Sequence, residues 1–365
     1  MQERYHYTNA LWRRLKKNKA AVASLFFILL LLLIALFAYL LAPDHTPFAD
    51  RQMVELQARK PGYSQLFLSI PKNDQVKEVS FFERLVNGSN DRSLYLPINS
   101  HHEIGDSLEV QLYVDEDTSL LQRYSIAEIT QGHPDQLPNH LITRTYWLGT
   151  DVLGRDMLSR LMVGARVSLT VGILAALISL CIGTFLGAVA GYFGGFADKL
   201  IMWILNVTWS IPTVLLVFAC TVALGKGFWQ IFLAMGLTMW VNVARMVRGQ
   251  VLVIRELDYI QAAKSMGFSH GRILWKHILP NLAGPLLVLA ASNLATAIML
   301  EAGLSFLGLG LQPPQPSWGL MIRENYHFII TDNPMLAIVP GIAIFLVVMA
   351  FNVLANGMRQ LAIDN

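Results

Sequence analysis

Six apolar runs divide the chain, at about 20–42, 167–192, 200–224, 228–247, 282–307 and 335–356. Each reaches the length of roughly 20 residues that a helix needs to cross a hydrocarbon core. The first run is too long and too leucine-rich for a signal-peptide core. No small-residue cleavage site follows it, so it reads as an uncleaved anchor that ends at Ala42-Pro43. The pattern predicts an all-α polytopic membrane protein with six transmembrane helices.

The segment 43–145 breaks this pattern. It is polar and acidic, densest in charge at Asp115-Glu116-Asp117. Ser107–Val114 alternates apolar and polar positions as a half-buried strand does, and Asn87-Gly88 and Gln131-Gly132 carry turn residues. A β-rich insert between the first and second spans is expected, with a partly disordered loop as the alternative. His101, His102, His133 and His140 fall in it without a metal-ligand spacing.

Composition agrees with the spans: of 365 residues 54% are hydrophobic and only 15% charged. Lys and Arg near the spans set the expected orientation. Arg13, Arg14, Lys16, Lys17 and Lys19 precede the first span, and Arg359 follows the last, which puts both termini in the cytoplasm. The insert then lies outside. Arg245, Arg248, Arg255, Lys264, Arg272 and Lys276 cluster on the inner side, between the fourth and fifth spans. The two cysteines, Cys181 and Cys220, lie within spans, so the insert has no disulfide framework.

The polar stretch 256–281 holds two short helical patterns around a glycine. Asp258 is placed to cap the first, with Gln261 completing a capping box. Tyr259, Ala262, Ala263 and Met266 fall on one helical face. Gly267 stands where the helix must stop and turn, a position suited to positive φ. Ser269 is placed to cap the second helix, and Pro280 suits the first turn of the next. The result is a knuckle with a small-residue surface between two spans, a shape suited to docking in another protein's groove.

This stretch resembles the coupling loop of ABC importer permeases, in the line Gln261-Ala262-Ala263, Gly267, His277-Ile278-Leu279-Pro280. Gln261 and His277 depart from the Glu and Ile of that pattern. The resemblance continues through Trp147-Leu148-Gly149-Thr150-Asp151, Gly154-Arg155-Asp156 and Gly164-Ala165-Arg166. It also covers Gly183, Gly187 and Gly191, the run Glu301 to Gly310, and Pro313 to Gly319. The glycines recur every fourth residue and leave a flat helix face for close packing. The resemblance is to C-type subunits of the paired oligopeptide, dipeptide and nickel permeases, and implies the type I ABC importer permease fold. The family's intramembrane Arg and Asp pair is replaced here by Trp203 and Asn206. No role passes to those two positions.

The resemblance implies coupling to an ATPase through Tyr259, Gln261, Ala262, Ala263, Gly267, His277, Leu279 and Pro280. It implies a second related permease, two cytoplasmic ATPase subunits, an extracytoplasmic solute-binding protein and membrane lipid as partners, and no nucleic acid. The chain has no Gly-x4-Gly-Lys-Ser/Thr motif, so ATP and Mg are expected on the partner ATPases and no cofactor on this chain. No His-Glu-x-x-His or Gly-x-Ser-x-Gly motif is present either, so no catalytic residue is assigned.

Glu301, an intramembrane carboxylate, has two readings: lining the channel, or holding helix packing through Ser305 or backbone. Asn242 and Arg245 are placed to line the cytoplasmic mouth, with snorkelling as the alternative for Arg245. Pro212 is expected to kink the third span. The tract from Leu311 to Tyr326 has interface residues, Trp318 and Tyr326, and is a candidate to dip into the membrane.

The expected layout is a basic cytoplasmic tail 1–19, a first span 20–42, an insert 43–145, a permease core 146–359 with coupling loop 256–281, and a cytoplasmic tail 360–365. The expected function is the permease subunit of an ATP-driven peptide importer in a bacterial cytoplasmic membrane. A same-fold permease for nickel chelates or another small solute is the first alternative. An ATPase-independent channel or membrane enzyme is the second.

Overall fold

The protein is represented by a computed structural model that describes residues 18–72, 80–225, 227–330 and 333–363. Arg13, Arg14, Lys16 and Lys17 of the basic tail and Lys226 of the turn between spans lie outside the described residues. The helices of more than one turn are α1 (Lys19–Leu36), α2 (Phe81–Asn87), α3 (Met157–Phe193), α4 (Gly195–Ser210) and α5 (Thr213–Leu224). They continue with α6 (Phe228–Ile254), α7 (Asp258–Ser265), α8 (Ala283–Phe306), α9 (Trp318–Asn325) and α10 (Met335–Ile363). Among the described residues, five helical stretches are long and apolar enough to cross a membrane: α1, α3, α6, His270–Phe306 and Met335–Gln360 of α10.

The third predicted span is not one helix. α4 and α5 together have the required length and apolarity, but they meet at 94°. The kink expected at Pro212 is a full break. Pro212 has no N–H to give, and a proline disfavours the helical conformation in the residue before it. Ile211 is accordingly extended, at φ −94° and ψ 128°. The second span also differs from its expected start near 167: helix α3 begins at Met157 and runs 37 residues. The stretch ahead of α3 is a tight turn closed by a bridge between Thr150 and Asp156.

The chain divides into two compact units. One holds the described residues up to Leu33, then Val167–Gln312 and Ile342 onward. Helix α6 is its centre. Val243, Val247 and Val251 are buried with Tyr192, Ile260, Ala263, Ile273, Ile278 and Leu282, while Ile231, Ala234 and Met235 are buried with Val171, Ala175 and Leu304. The glycine stripe of α3 lies on α6. A Cβ on Gly183 would stand 2.5 Å from Val243 Cβ, and one on Gly187 would stand 2.5 Å from Ala244 O. One on Gly191 would stand 2.8 Å from Arg248 O, so all three glycines are required by backbone approach.

The other unit comprises Ile34–Arg166 and Pro313–Gly341. It holds a five-stranded antiparallel sheet in the order β4-β3-β2-β1-β5. The strands are β1 (Tyr63–Pro71), β2 (Ser93–Ile104), β3 (Ser107–Tyr113), β4 (Ser119–Ser125) and β5 (Leu141–Tyr146). Neighbouring side chains on a strand point to opposite faces. Leu68 therefore packs with Ile98, Leu108 and Val110 under Ile126, Ile129 and Leu137, whereas Phe67 packs with Tyr113, Tyr146, Met53 and Leu56. The turn residues named from sequence take the left-handed conformation: Gly88 at φ 76°, Gln131 at φ 52° and Gly132 at φ 87°.

Candidate functional site

The stretch between α6 and α8 is a knuckle clamped to the ends of its neighbours. At the end of α6, Arg248 donates two hydrogen bonds to Asp198 of α4, at 2.5 and 2.7 Å. Arg255 donates to the Gly191 carbonyl at 2.9 Å, next to the end of α3. Helix α7 follows at once. Its cap position is Leu257, which has no side-chain cap, so the capping box expected from Asp258 and Gln261 does not form. Asp258 is instead the first helical residue, and Gln261 Nε2 donates to the Arg255 carbonyl at 3.0 Å. The carboxylate in the first turn still complements the helix dipole.

Gly267 ends α7 at φ 76°, with nothing within 4 Å of where a Cβ would stand. The Gly267 and Phe268 N–H groups close onto Lys264 O and Ala263 O, at 2.9 and 3.1 Å. This is the left-handed stop that the sequence called for. Ser269 caps the next turn, accepting from the Arg272 N–H at 3.4 Å. That turn, His270–Ile273, runs into a wide turn at Leu274–Ile278 and a tight one at Leu279–Leu282 containing Pro280. His277 stacks on Phe268, and its carbonyl accepts from Asn281 Nδ2 at 2.7 Å. Asn281 Nδ2 also donates to the Tyr259 hydroxyl at 2.9 Å, closing the knuckle across its open side.

The knuckle's two faces separate cleanly. Ile260, Ala263, Ile273 and Ile278 are buried in the core of the helical unit, with Leu279 packed against them. Tyr259, Gln261, Ala262 and Gly267 are exposed, and His277 and Pro280 are half-buried. Ala263 therefore holds the knuckle down and does not share the outer face proposed for it. Met266, 66% exposed, and Trp275, 72% exposed, do lie outside. Trp275 was not singled out from sequence. A tryptophan in a short polar loop was the available signal.

The intramembrane candidates are placed differently from one another. Glu301 is fully buried. Its carboxylate accepts from Ser305 Oγ at 2.7 Å and from Ser168 Oγ at 3.0 Å. Ser305 Oγ in turn accepts from the Leu311 N–H at 3.3 Å, which fastens the turn after α8. Arg245 lies over the Trp209 ring, 3.6 Å from its centre, with Nη2 3.5 Å from Asn206 Oδ1. Asn242 is exposed to a cavity of about 240 Å³ at the break between α4 and α5. Pro212 is the cap position of α5.

A buried ionic cluster in the other unit escaped the sequence reading. Arg155 and Arg160 are each 1% exposed and both donate to Glu324 of α9, at 2.8 and 2.9 Å. Arg155 also bonds Asp151 at 2.7 Å and Asp50 at 3.1 Å. Trp318, expected at an interface, is buried and donates to Leu161 O at 3.0 Å. The residues come from three distant stretches, so their spacing carried no signal.

Residues 183–362, which contain the whole knuckle, match the family described as binding-protein-dependent transport system inner membrane component. Residues 7–59 match the N-terminal TM domain of oligopeptide transport permease C. The chain is 43% identical over 215 residues to the glutathione transport system permease protein GsiD of Pectobacterium atrosepticum, covering 59% of this chain and 71% of that one. It is 38% identical over 241 residues to the oligopeptide transport system permease protein OppC of Bacillus subtilis, covering 66% and 77%. It is 42% identical over 215 residues to the dipeptide transport system permease protein DppC of the same organism, covering 59% and 67%. The chain belongs to this family of ABC importer permeases, in its C-type branch. As such a permease it is a multi-pass inner-membrane transport component and not an enzyme.

Proposed function

We propose that this permease carries oligopeptides or dipeptides from an extracytoplasmic binding protein into the cytoplasm, driven by ATP. The chain crosses the membrane six times in this reading, with the broken pair α4 and α5 as the third crossing and both termini inside. The sheet unit then faces outward. Two ATPase subunits hold ATP and Mg, and a second, related permease completes the pathway.

The observation that carries this reading is the knuckle's construction. It is fastened to α3 through Arg255 and Gly191, and packed on α6 and α8, yet it presents Tyr259, Gln261, Ala262, Met266 and Trp275 outward. A rigid body with an open apolar and small-residue face suits a groove on an ATPase. Names of the relatives add peptide substrates, since all three transport peptides or glutathione by their descriptions.

The test is reconstitution of the permease pair with its ATPases and binding protein in proteoliposomes. ATP-dependent uptake of labelled trialanine is expected, and a nickel–histidine chelate should not compete. Uptake of the chelate with no uptake of peptide would favour the nickel reading instead. Uptake without any ATPase would overturn the importer.

A further inference from the structure

Six neutral hydrogen-bonding side chains surround the cavity at the break: Thr208, Thr213, Thr238, Asn242, Asn293 and Thr296. Trp209, Met239, Met299 and aliphatic residues complete its lining, and none of its lining residues is ionisable. The cavity belongs to the helical unit alone.

Three of the hydroxyls have their protons committed. Thr208 donates to Ile204 O at 2.9 Å, Thr238 to Met235 O at 3.0 Å, and Thr296 to Ser292 O at 3.0 Å. A hydroxyl has one proton and two lone pairs, so each oxygen remains an acceptor. Asn293 gives one amide proton to Ser179 Oγ at 2.9 Å. The Asn242 side chain makes no hydrogen bond among the described residues, and its carboxamide supplies both donors and an acceptor. The break adds backbone donors. The first N–H groups of a helix have no partner within it, and α5 starts at Thr213 after an uncapped Pro212. Thr213 and Val214 both line the cavity.

Donors and acceptors in mixed array, without a formal charge, complement an uncharged group that both donates and accepts. A carboxylate or an ammonium finds no ionisable partner in the lining, so these groups offer it less than they offer an amide. Arg245 is held on the Trp209 ring and is not itself part of the lining.

We propose that this cavity is a subsite that holds the passing peptide by a backbone amide and takes no part in reading side-chain charge. The inference rests on the peptide-import reading above and adds where and how the substrate is held. It makes the passage permissive of side-chain charge and sensitive to the peptide bond itself.

The test compares labelled trialanine with its analogue in which esters replace both amides, in proteoliposomes of the complete transporter. Each is supplied with saturating binding protein. The ratio of the two uptakes in a variant is divided by the ratio in wild type, so that selection by the binding protein cancels. Asn242→Leu should lower amide uptake by about tenfold, the effect of one or two hydrogen bonds, and lower ester uptake several-fold less, because the ester keeps its carbonyl acceptor but has no N–H to give. Asn242→Gln, which keeps the carboxamide, should retain at least part of the preference. Alanine peptides with a central Lys or Glu should lose uptake in Asn242→Leu to the same degree as trialanine. Complex abundance is the control. Equal loss of amide and ester, or no change in either, would overturn the subsite while leaving peptide import intact. A wild-type complex that imports no peptide would overturn the import reading and the subsite together.

Discussion

The Tyr192 hydroxyl lies 2.9 Å from Nδ1 of His270, tying the end of α3 to the turn that follows Gly267. The rings meet edge to face at 5.6 Å, and Lys264 stands 5.7 Å from the Tyr192 ring. Together with Arg255 on the Gly191 carbonyl, this places two adjacent points of α3 in contact with the knuckle and its approach. A push on the knuckle is thereby delivered to the helix that carries the glycine stripe. Tyr192→Phe removes one hydrogen bond and keeps the ring, a cost of about 1 kcal/mol. The ATPases should still bind and hydrolyse ATP, but substrate imported per ATP should fall. Measuring both rates on one reconstituted sample checks this; a parallel fall of both would show a merely structural contact.

Gly267→Val tests the knuckle's angle. Space is open around the Cβ position, so the variant meets no clash, only the strain of a β-branched residue at φ 76°. That strain is about 1–2 kcal/mol. Membrane abundance should be unchanged, while ATPase co-purification weakens and most uptake is lost. Ala262→Glu should act alike, because Ala262 is exposed. Ala263→Glu should instead lower abundance, since its side chain enters the core. Full ATPase binding by both Gly267→Val and Ala262→Glu would remove the docking role from this face.

Glu324 is the shared acceptor of two buried arginines. Asp50 and Asp151 still face both arginines without it, so losing Glu324 should cost less than the roughly 3–5 kcal/mol of a fully broken buried pair. Glu324→Ala should still lower the thermal midpoint of the purified permease, with Glu324→Gln intermediate. A midpoint unchanged in Glu324→Ala would mean that water replaces the carboxylate.

The sheet can be excised at a defined place. Ser64 and Thr145 are paired across β1 and β5, so an Asn-Gly turn can join them as a short hairpin. This keeps Asp50, which a cut from Pro43 to Thr143 would take away from Arg155. The shortened chain should still insert and bind ATPases, and should import less. Normal import across substrate concentrations would make the sheet dispensable for this activity.

Asp156 gives a pH signature. Burial raises its pKa above the usual 3.8, opposed by hydrogen bonds from the Ser159 hydroxyl and N–H. A carboxyl with a raised folded-state pKa binds more protons folded than unfolded. Its contribution to stability therefore falls as pH rises from about 3.8 through the raised value, and is most unfavourable above it. Asp156→Asn should flatten stability across that window, as followed by thermal unfolding at several pH values.

What the sequence made legible follows from the range over which each signal acts. Gly267, Ser269 and the turn glycines were readable because backbone conformation is set within a few residues. The glycine stripe was readable because its period is helical, although only the structure shows that α6 is what it meets. The break at Pro212 was underestimated, since a proline signals a fault in a helix without fixing its angle. The Asp258 cap was misplaced by one residue, which is the ordinary error at helix ends. The Arg155, Arg160 and Glu324 cluster was invisible, because its members are brought together by tertiary folding alone.

The seam between α3 and α6 has one more property. Gly183, Gly187 and Gly191 have no rotamers, so this side of the contact loses no side-chain entropy on forming and has no second way to interlock. Packed interfaces act as switches when they have two discrete arrangements. Here one side is bare glycine backbone and the other is set by the valines Val243, Val247 and Val251, which are stiff at χ1, so the seam has little room for a second arrangement. The two helices thus move most readily as a single lever, in contrast to the break at Ser210–Pro212, where the helix ladder is interrupted and a change of angle breaks no continuing hydrogen bonds.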